Sequence, residues 1–451
     1  MSQTITIRKG LDVNMKGKAE KVLVEAAKSK LFSIQPPNFT GLTPKLVVKV
    51  GDKVKAGSPV FFDKYRDSIY YVSPVSGVVK DIVRGAKRRI LDVIVEADAE
   101  TSYLESTVTD VNNLDREAVK SMMLSSGLWP FLRMRPIDIV ANPTDTPKAI
   151  FISSFDSNPL APDNDFILDG KDAEFNAGIE LLNKLTDGNV HLQTRKSSSA
   201  VFKNAKEVQI TNVKGAHPAG NVGVQIHHIN PINKGEIVWY INPQDVLILG
   251  RYALTGKYDA TKVIAVTGEN ASDKKYFKTI IGSSISSIIS KSVKENSRII
   301  SGNPLTGSQV SSDDFLSFYD SQITILPEGD NYKFFLTEGW LSAGFKRFSA
   351  SRAYPSWMMP KSKEYAMDTN INGEERAYVV SGQYEKVFPF DIYPVYLIKS
   401  ILSNDIERME NLGIYEVAPE DFALCEFVCT SKINVQQIVR DGLDMIYDEC
   451  M

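Results

Sequence analysis

Val50-Gly51-Asp52-Lys53-Val54-Lys55-Ala56-Gly57, and after a hairpin's length of chain Ser73-Pro74-Val75-Ser76-Gly77-Val78-Val79-Lys80, decide how the chain begins. Each stretch sets a turn rich in Gly, Asp or Pro against short β-branched runs, Leu46 to Val50, Val60 to Phe62 and Gly77 to Val83. Glycine and Asp tolerate the backbone angles of tight turns, and β-branched residues suit a pleated surface, so the pair reads as two hairpins of a small β-module. Working outward, period-2 alternation with a turn signal every several residues extends the all-β reading from residue 1 to about 105, and Ile90 to Glu96 closes it.

Two hairpins in this arrangement resemble a biotinyl/lipoyl-type barrel-sandwich module. Such modules carry a modified lysine at a hairpin tip, and Asp63-Lys64 stands in that interval here. Tyr65-Arg66-Asp67-Ser68 lengthens the tip beyond a tight two-residue turn, so one lysine would not be presented rigidly. A docking platform without covalent biotin or lipoyl is the expectation.

A chain of 451 residues exceeds what one hydrophobic core sustains, and three or four domains are expected. The net charge of -3 gives no electrostatic reason for nucleic-acid binding. The basic runs Lys87-Arg88-Arg89 and Lys346-Arg347 are short and read as solvated faces. The most apolar late window, Val387 to Leu402, is broken by two prolines, Asp391 and Lys399, so no membrane span is expected. The N-terminus alternates like a strand and lacks a signal peptide's apolar core. Cys425, Cys429 and Cys450 are too few for a disulfide framework, which with the rest predicts a cytoplasmic location.

Beyond the β-module, Asn112 to Glu117 offers cap residues and first-turn acids for a helix over about 114–125, ended by Ser126-Gly127. From Lys148 strand and helix patterns alternate: Ala149 to Ser153, Asp172 to Leu185, Val190 to Gln193, then Val208 to Thr211. Residues 106–255 therefore read as a Rossmann-like α/β domain, although no G-x-G-x-x-G follows any strand. Over 256–330, strand Val263 to Val266, a helix-like stretch Ile280 to Ser290 and strand Arg298 to Ser301 read as a β-grasp-like domain. A hairpin of Ile323 to Leu326 with Tyr332 to Leu336 follows it. The region 331–451 reads as mixed and then helical, with helices over Pro419 to Cys425 and Val435 to Tyr447. The fold class is an α/β multidomain chain with these four parts.

This order of parts resembles, along essentially the whole chain, the A-subunit family of the sodium-translocating NADH:quinone reductase. The resemblance rests on Ile5 to Asp12, Ser73 to Gly77 with Arg84 to Arg88, Ser126 to Trp129, His217-Pro218-Ala219-Gly220, Arg298 to Gly302 with Leu305-Thr306-Gly307, and Leu424 to Cys429. It implies a peripheral component on the cytoplasmic side of the inner membrane, in a complex that oxidises NADH, reduces ubiquinone or a related quinone and pumps sodium. NADH, flavins and iron–sulfur centres would then belong to other subunits, which would be this chain's partners. A more distant likeness is to the NADH- and flavin-binding subunit of respiratory complex I and its counterpart in the Rnf complex.

Against those distant relatives, the flavin loop after the first helix is degenerate. Ser126-Gly127-Leu128-Trp129-Pro130-Phe131-Leu132-Arg133 keeps one glycine among bulky residues, and only glycine lets a backbone approach a phosphate closely. Cys425-x3-Cys429 has the wrong spacing and too few thiolates for a cluster, so both read as packed remnants, with Cys450 an improbable third ligand. His191, His217, His227 and His228 have no cysteine near them in sequence, and no metal site is expected. No catalytic residue and no tightly bound cofactor are expected on this chain. Quinone is the ligand the family raises, with Trp129, Phe131 and His217 as candidates; Trp340 through Trp357 supply aromatic walls or an interface. The rival readings are an active flavin-dependent NADH dehydrogenase and a biotinyl or lipoyl carrier.

Overall fold

The computed structural model describes residues 3–106, 113–289, 293–331 and 333–450. Asn112 and Ser290, and Tyr332 of the expected second hairpin, lie outside the described residues.

The β-module is two small sheets facing each other. One orders strands Leu31–Ile34, Ile90–Ala97, Gly77–Arg84 and Lys53–Val54; the other orders Pro44–Leu46, Pro59–Asp63 and Tyr70–Val72. Val60, Phe61, Val79, Val93 and Val95 are fully buried between them, which is the alternation read from the sequence made physical. The expected strand Leu46 to Val50 stops at Leu46, because Val47 and Val50 point to solvent and have no core to reward pairing. The tip around Lys64 is pinned rather than free. Asp63 is buried against Arg66 at 2.8 Å, and Arg66 also donates to the carbonyl of Val140 in the next domain at 2.8 Å.

Two early strands leave the module. Gln3–Thr6 pairs in parallel with Gln209–Lys214, and Leu23–Glu25 pairs in parallel with Tyr276–Ile280, so the chain edges two other sheets before the module starts.

The second unit holds a seven-stranded sheet in the order 3–6, 209–214, 189–194, 149–153, 238–240, 133–135, 139–140. The first five run parallel and the last two turn antiparallel. Continuous apolar runs such as Ala149 to Ile152 are buried on both sides, as covered parallel strands must be. Helices Asp172–Leu185 and Pro243–Thr255 cross where two glycines meet the opposite backbone. A Cβ on Gly178 would lie 2.3 Å from the Val246 carbonyl oxygen, and one on Gly250 would lie 1.7 Å from that of Glu174. The second helix is absent from the sequence expectations, although Asn242-Pro243 at its start and Gly256 in the left-handed region at its end are ordinary boundary signals.

The third unit is a six-stranded sheet ordered 308–310, 297–301, 322–327, 261–267, 276–280, 23–25. Two expectations need correction here. Ile280 ends the strand Tyr276–Ile280, and the helix spans only Ile285–Ile289. Gln322–Pro327 does not pair with residues 333–336. It lies between Ser297–Ser301 and Thr261–Thr267, with Ile323, Thr324, Ile325 and Leu326 all buried, whereas Phe334, Phe335 and Leu336 are exposed. A strand covered on both faces belongs in the middle of a sheet, not in a surface hairpin.

The C-terminal part is irregular to about residue 383 and then helical, with Pro394–Leu402, Ile406–Asn411, Ala423–Val428 and Val435–Cys450. The expected helix from Pro419 begins as a 3-10 turn, Pro419–Phe422, before the α-helix at Ala423. No helix among the described residues is long and apolar enough to cross a membrane.

The helix crossing gives a direct test. Ala is the better helix former, which alone would gain up to about 1 kcal/mol at Gly250. Gly250→Ala should nevertheless destabilise the chain by about 2 kcal/mol or more in denaturant unfolding, since a methyl group cannot share space with a carbonyl oxygen.

Candidate functional site

The loop after the first helix, Ser126 to Arg133, is built largely as core. Helix Arg116–Ser125 starts at Asp115, whose carboxylate accepts from the Ala118 N–H at 2.8 Å. It ends at Gly127 with φ +73°, and a Cβ there would meet Val72 Cγ1 of the β-module at 2.3 Å. Leu128, Trp129, Phe131 and Leu132 are buried. The Trp129 indole donates to the Ala141 carbonyl at 2.7 Å and meets Trp239 edge-on at 5.4 Å. Phe131 stacks on Phe318 at 4.8 Å, and the Tyr319 hydroxyl donates to the Pro130 carbonyl. Domains one, two and three therefore meet at this loop, and side chains from all three pack around it.

Trp129 and Phe131 share that core, while His217 sits apart from it at the strand ends of the second unit. Ser157 Oγ lies 3.1 Å from His217 Nδ1 and accepts from the Gly220 N–H, and the His217 N–H donates to Asp12 at 2.9 Å. Burial lowers the His217 pKa to about 4, and does the same at His191, whose ring stacks on Phe151 at 4.6 Å. His227 Nδ1 is 2.6 Å from Glu416, and its Nε2 accepts from the Asp391 N–H. His228 Nδ1 lies 2.8 Å from the Val224 carbonyl and its ring meets that of His227 edge-on, and among the described residues no three His, Cys, Asp or Glu side chains group as metal ligands.

Cys425 and Cys429 are buried, and the Tyr384 hydroxyl donates to Cys429 Sγ at 3.1 Å. Burial raises the Cys425 thiol well above its ordinary range, which opposes the thiolate that iron or zinc would need. Cys429 also borders a cleft of about 1310 Å³ whose walls include Arg298, Leu305, Phe348, Phe427 and Ile433. Trp129, Phe131 and His217 are not among its lining residues.

The strongest electrostatic feature has no counterpart among the sequence expectations. Strands Arg133–Arg135 and Ile139–Val140 are joined by a turn in which Ile137 and Asp138 adopt φ +79° and +61°, an unfavourable region for a β-branched residue. Three contacts hold that turn. Arg440 of the last helix donates to the Ile137 carbonyl at 2.7 Å, Arg133 reaches both Asp138 oxygens at 2.8 Å, and the Tyr240 hydroxyl donates to Asp138. Arg135, fully buried, reaches Asp421 at 2.5 Å and Glu420 at 2.7 Å. Burial would lower the pKa of both arginines, but the surrounding carboxylates raise them above the ordinary value. Burial likewise works to raise Asp138, yet Arg133 and Arg135 bring it below the usual carboxylate range. Gly223 completes the fit, since a Cβ there would lie 2.5 Å from Asp421 Oδ1. Arg-Met-Arg-Pro inside an apolar stretch and the adjacent acids after Pro419 are the available sequence signal.

Removing one member of a buried ion pair strands the other. Arg135→Ala should cost about 3–5 kcal/mol in equilibrium unfolding and should loosen the C-terminal helices first, as read by hydrogen exchange. The histidines set a pH response. Below pH about 6.5 the unfolded chain protonates His191 and His217, while the folded chain resists until about 4. The folded state therefore loses up to about 1.4 kcal/mol per pH unit per histidine as pH falls through that window. His217→Gln should flatten the decline in melting temperature between those limits without abolishing it, because His191 remains.

Three family models cover most of the chain: the NqrA N-terminal barrel-sandwich hybrid domain matches residues 5–98, the NqrA second alpha/beta domain 114–258, and the NQRA C-terminal domain 263–312. The Na(+)-translocating NADH-quinone reductase A-subunit of Rhodopirellula baltica is 34% identical over 456 residues, covering 99% of this chain and 99% of that protein. The corresponding protein of Pasteurella multocida is 33% identical over 449 residues, covering 99% of this chain and all of its own length. An NAD+-reducing NiFe-hydrogenase overlays with a TM-score of 0.38 and 8% identity, over 77% of this chain and 67% of its own, too slight a likeness to argue from. Identity of this order along the full length, together with a β-sandwich, an α/β sheet and a third sheet in the same succession as the three matched domains, shows that the chain belongs to the NqrA family, the A-subunits of the Na(+)-translocating NADH-quinone reductases.

Proposed function

We propose that this chain is a docking and scaffold component of a sodium-translocating NADH:quinone reductase, held peripherally on the cytoplasmic side of the inner membrane by the other subunits of the complex. In this reading NADH oxidation, flavin and iron–sulfur chemistry take place on those partners, and this chain has no catalytic residue of its own. The observation that supports it is the packed loop at Gly127, where a Cβ would meet Val72 of the β-module and bulky buried side chains surround the single glycine. The finer reading of residues 106–255 as Rossmann-like is supported by its four parallel strands, to which Gln3–Thr6 adds a fifth from outside the range. A β-grasp-like reading of 256–330 is supported by the hairpin 261–280 with its short helix.

Quinone contact by this chain is proposed for the cleft at Arg298, Phe348 and Phe427 rather than for Trp129, Phe131 or His217. A quinone needs apolar walls and a few donors on an accessible surface, and the three sequence candidates are buried in packed core.

Purified without its partners, the chain should show no flavin absorbance and no stoichiometric iron. Removing it from the native complex should abolish quinone reduction, while the NADH-binding partner should still reduce a soluble dye. Bound flavin or iron would favour the rival active dehydrogenase. A photoreactive quinone should label peptides spanning 298–309 or 423–434, and labelling confined to 126–132 would overturn the placement in the cleft.

A further inference from the structure

Residues 333–363 form an irregular lobe whose only regular element is the single 3-10 turn Pro355–Met358. A structureless stretch of this length inside a folded domain usually marks a functional surface. Its large apolar side chains face outward. Trp340 is 72% exposed and Trp357 58%, and Phe334, Phe335, Phe345 and Met358 are also exposed. The lobe is nonetheless one body. Gly339 sits against the Phe335 backbone, the Tyr354 hydroxyl donates to the Trp340 carbonyl at 3.2 Å, and Lys363 donates to the Phe345 carbonyl at 2.8 Å.

Charge separates this surface from the rest of the molecule. Across 333–363 stand Lys333, Lys346, Arg347, Arg352, Lys361 and Lys363 against Glu338 alone, in a chain whose net charge is -3. Lys333 is held by Asp368, and among the described residues the other five have no carboxylate partner. Arg352 lies 5.8 Å from the Trp357 ring, which places cation and indole together.

We propose that this lobe seats directly on an anionic lipid headgroup layer, so that the chain touches the bilayer itself and not only its protein partners. Exposed Trp beside Lys and Arg is the chemistry of the membrane–water interface, where the ring lies at headgroup depth and the long basic side chains reach phosphate. Irregular backbone fits that depth, since water still satisfies its polar groups, and it does not fit the hydrocarbon interior. An acidic protein partner would also complement the charge, but protein interfaces are depleted in Lys, and three of these five cations are Lys. The proposal does not depend on the cofactor-free reading, because vesicle binding is indifferent to redox centres.

The test uses the full chain with phosphatidylcholine vesicles, with and without phosphatidylglycerol. Of the four tryptophans, Trp129 and Trp239 are buried, so any change in indole fluorescence on adding vesicles reports on Trp340 and Trp357. The chain should float with the phosphatidylglycerol vesicles and not with pure phosphatidylcholine, its emission should shift to the blue, and high salt should release it. Lys346→Glu with Lys361→Glu should cut partitioning roughly tenfold or more. Trp340→Ala with Trp357→Ala should abolish the shift. All four positions face solvent, so the melting temperature should hold. Charge reversal at Lys87, Arg88 and Arg89 should leave binding unchanged. No binding to anionic vesicles, binding lost through the 87–89 reversal instead, or binding only to vesicles carrying the integral partner proteins would each overturn the proposal, the last by making the lobe a protein interface.

Discussion

Arg135 is the side chain on which the arrangement of the molecule turns. It lies on a strand of the second unit, is wholly buried, and directs its guanidinium at two consecutive carboxylates, Glu420 and Asp421, nearly three hundred residues further along the chain. A buried cation in such a place needs its carboxylate partner, and the equally buried Asp421 faces the same condition in reverse, while Glu420 reaches in from a half-exposed position. Each half therefore specifies the other. The helices that follow Pro419 can pack in one position only, because any other leaves charge stranded in a low-dielectric interior. The neighbouring turn adds a second condition: Ile137 and Asp138 stay in the left-handed region because Arg133, Tyr240 and Arg440 close on them from three directions.

The junction at Gly127 is a different kind of constraint, made of volume rather than charge. The β-module, the parallel sheet and the third sheet meet there through Val72, Trp129 and Phe318, with aromatic rings filling the space between them.

How far the sequence can be read depends on the range of the forces involved. Strands such as Ala149–Ser153 and helix Asp172–Leu185 are legible to their observed limits because burial on a fixed period writes itself into neighbouring residues. Helix Pro394–Leu402 escapes recognition when the same stretch is weighed only as a membrane span, and Pro243–Thr255 is overlooked despite its caps. Gln322–Pro327 reads as part of a hairpin because adjacency in sequence suggests a partner that burial on both faces rules out. Of the candidate site, the close packing at Gly127 is legible as bulk beside a lone glycine. The ion cluster is not, because nothing local in Arg133 to Arg135 announces acids hundreds of positions away.

The two short strands at the start of the chain bear on how the protein comes off the ribosome. Gln3–Thr6 is made some two hundred residues before its partner Gln209–Lys214, and Leu23–Glu25 waits still longer for Tyr276–Ile280. Between them and those partners, the strands of residues 31–97 form two sheets of their own, tied to the third unit by a bridge from Phe32 to Ser283. The β-module can close during synthesis before either early strand has its partner, so both strands wait on segments translated long after them.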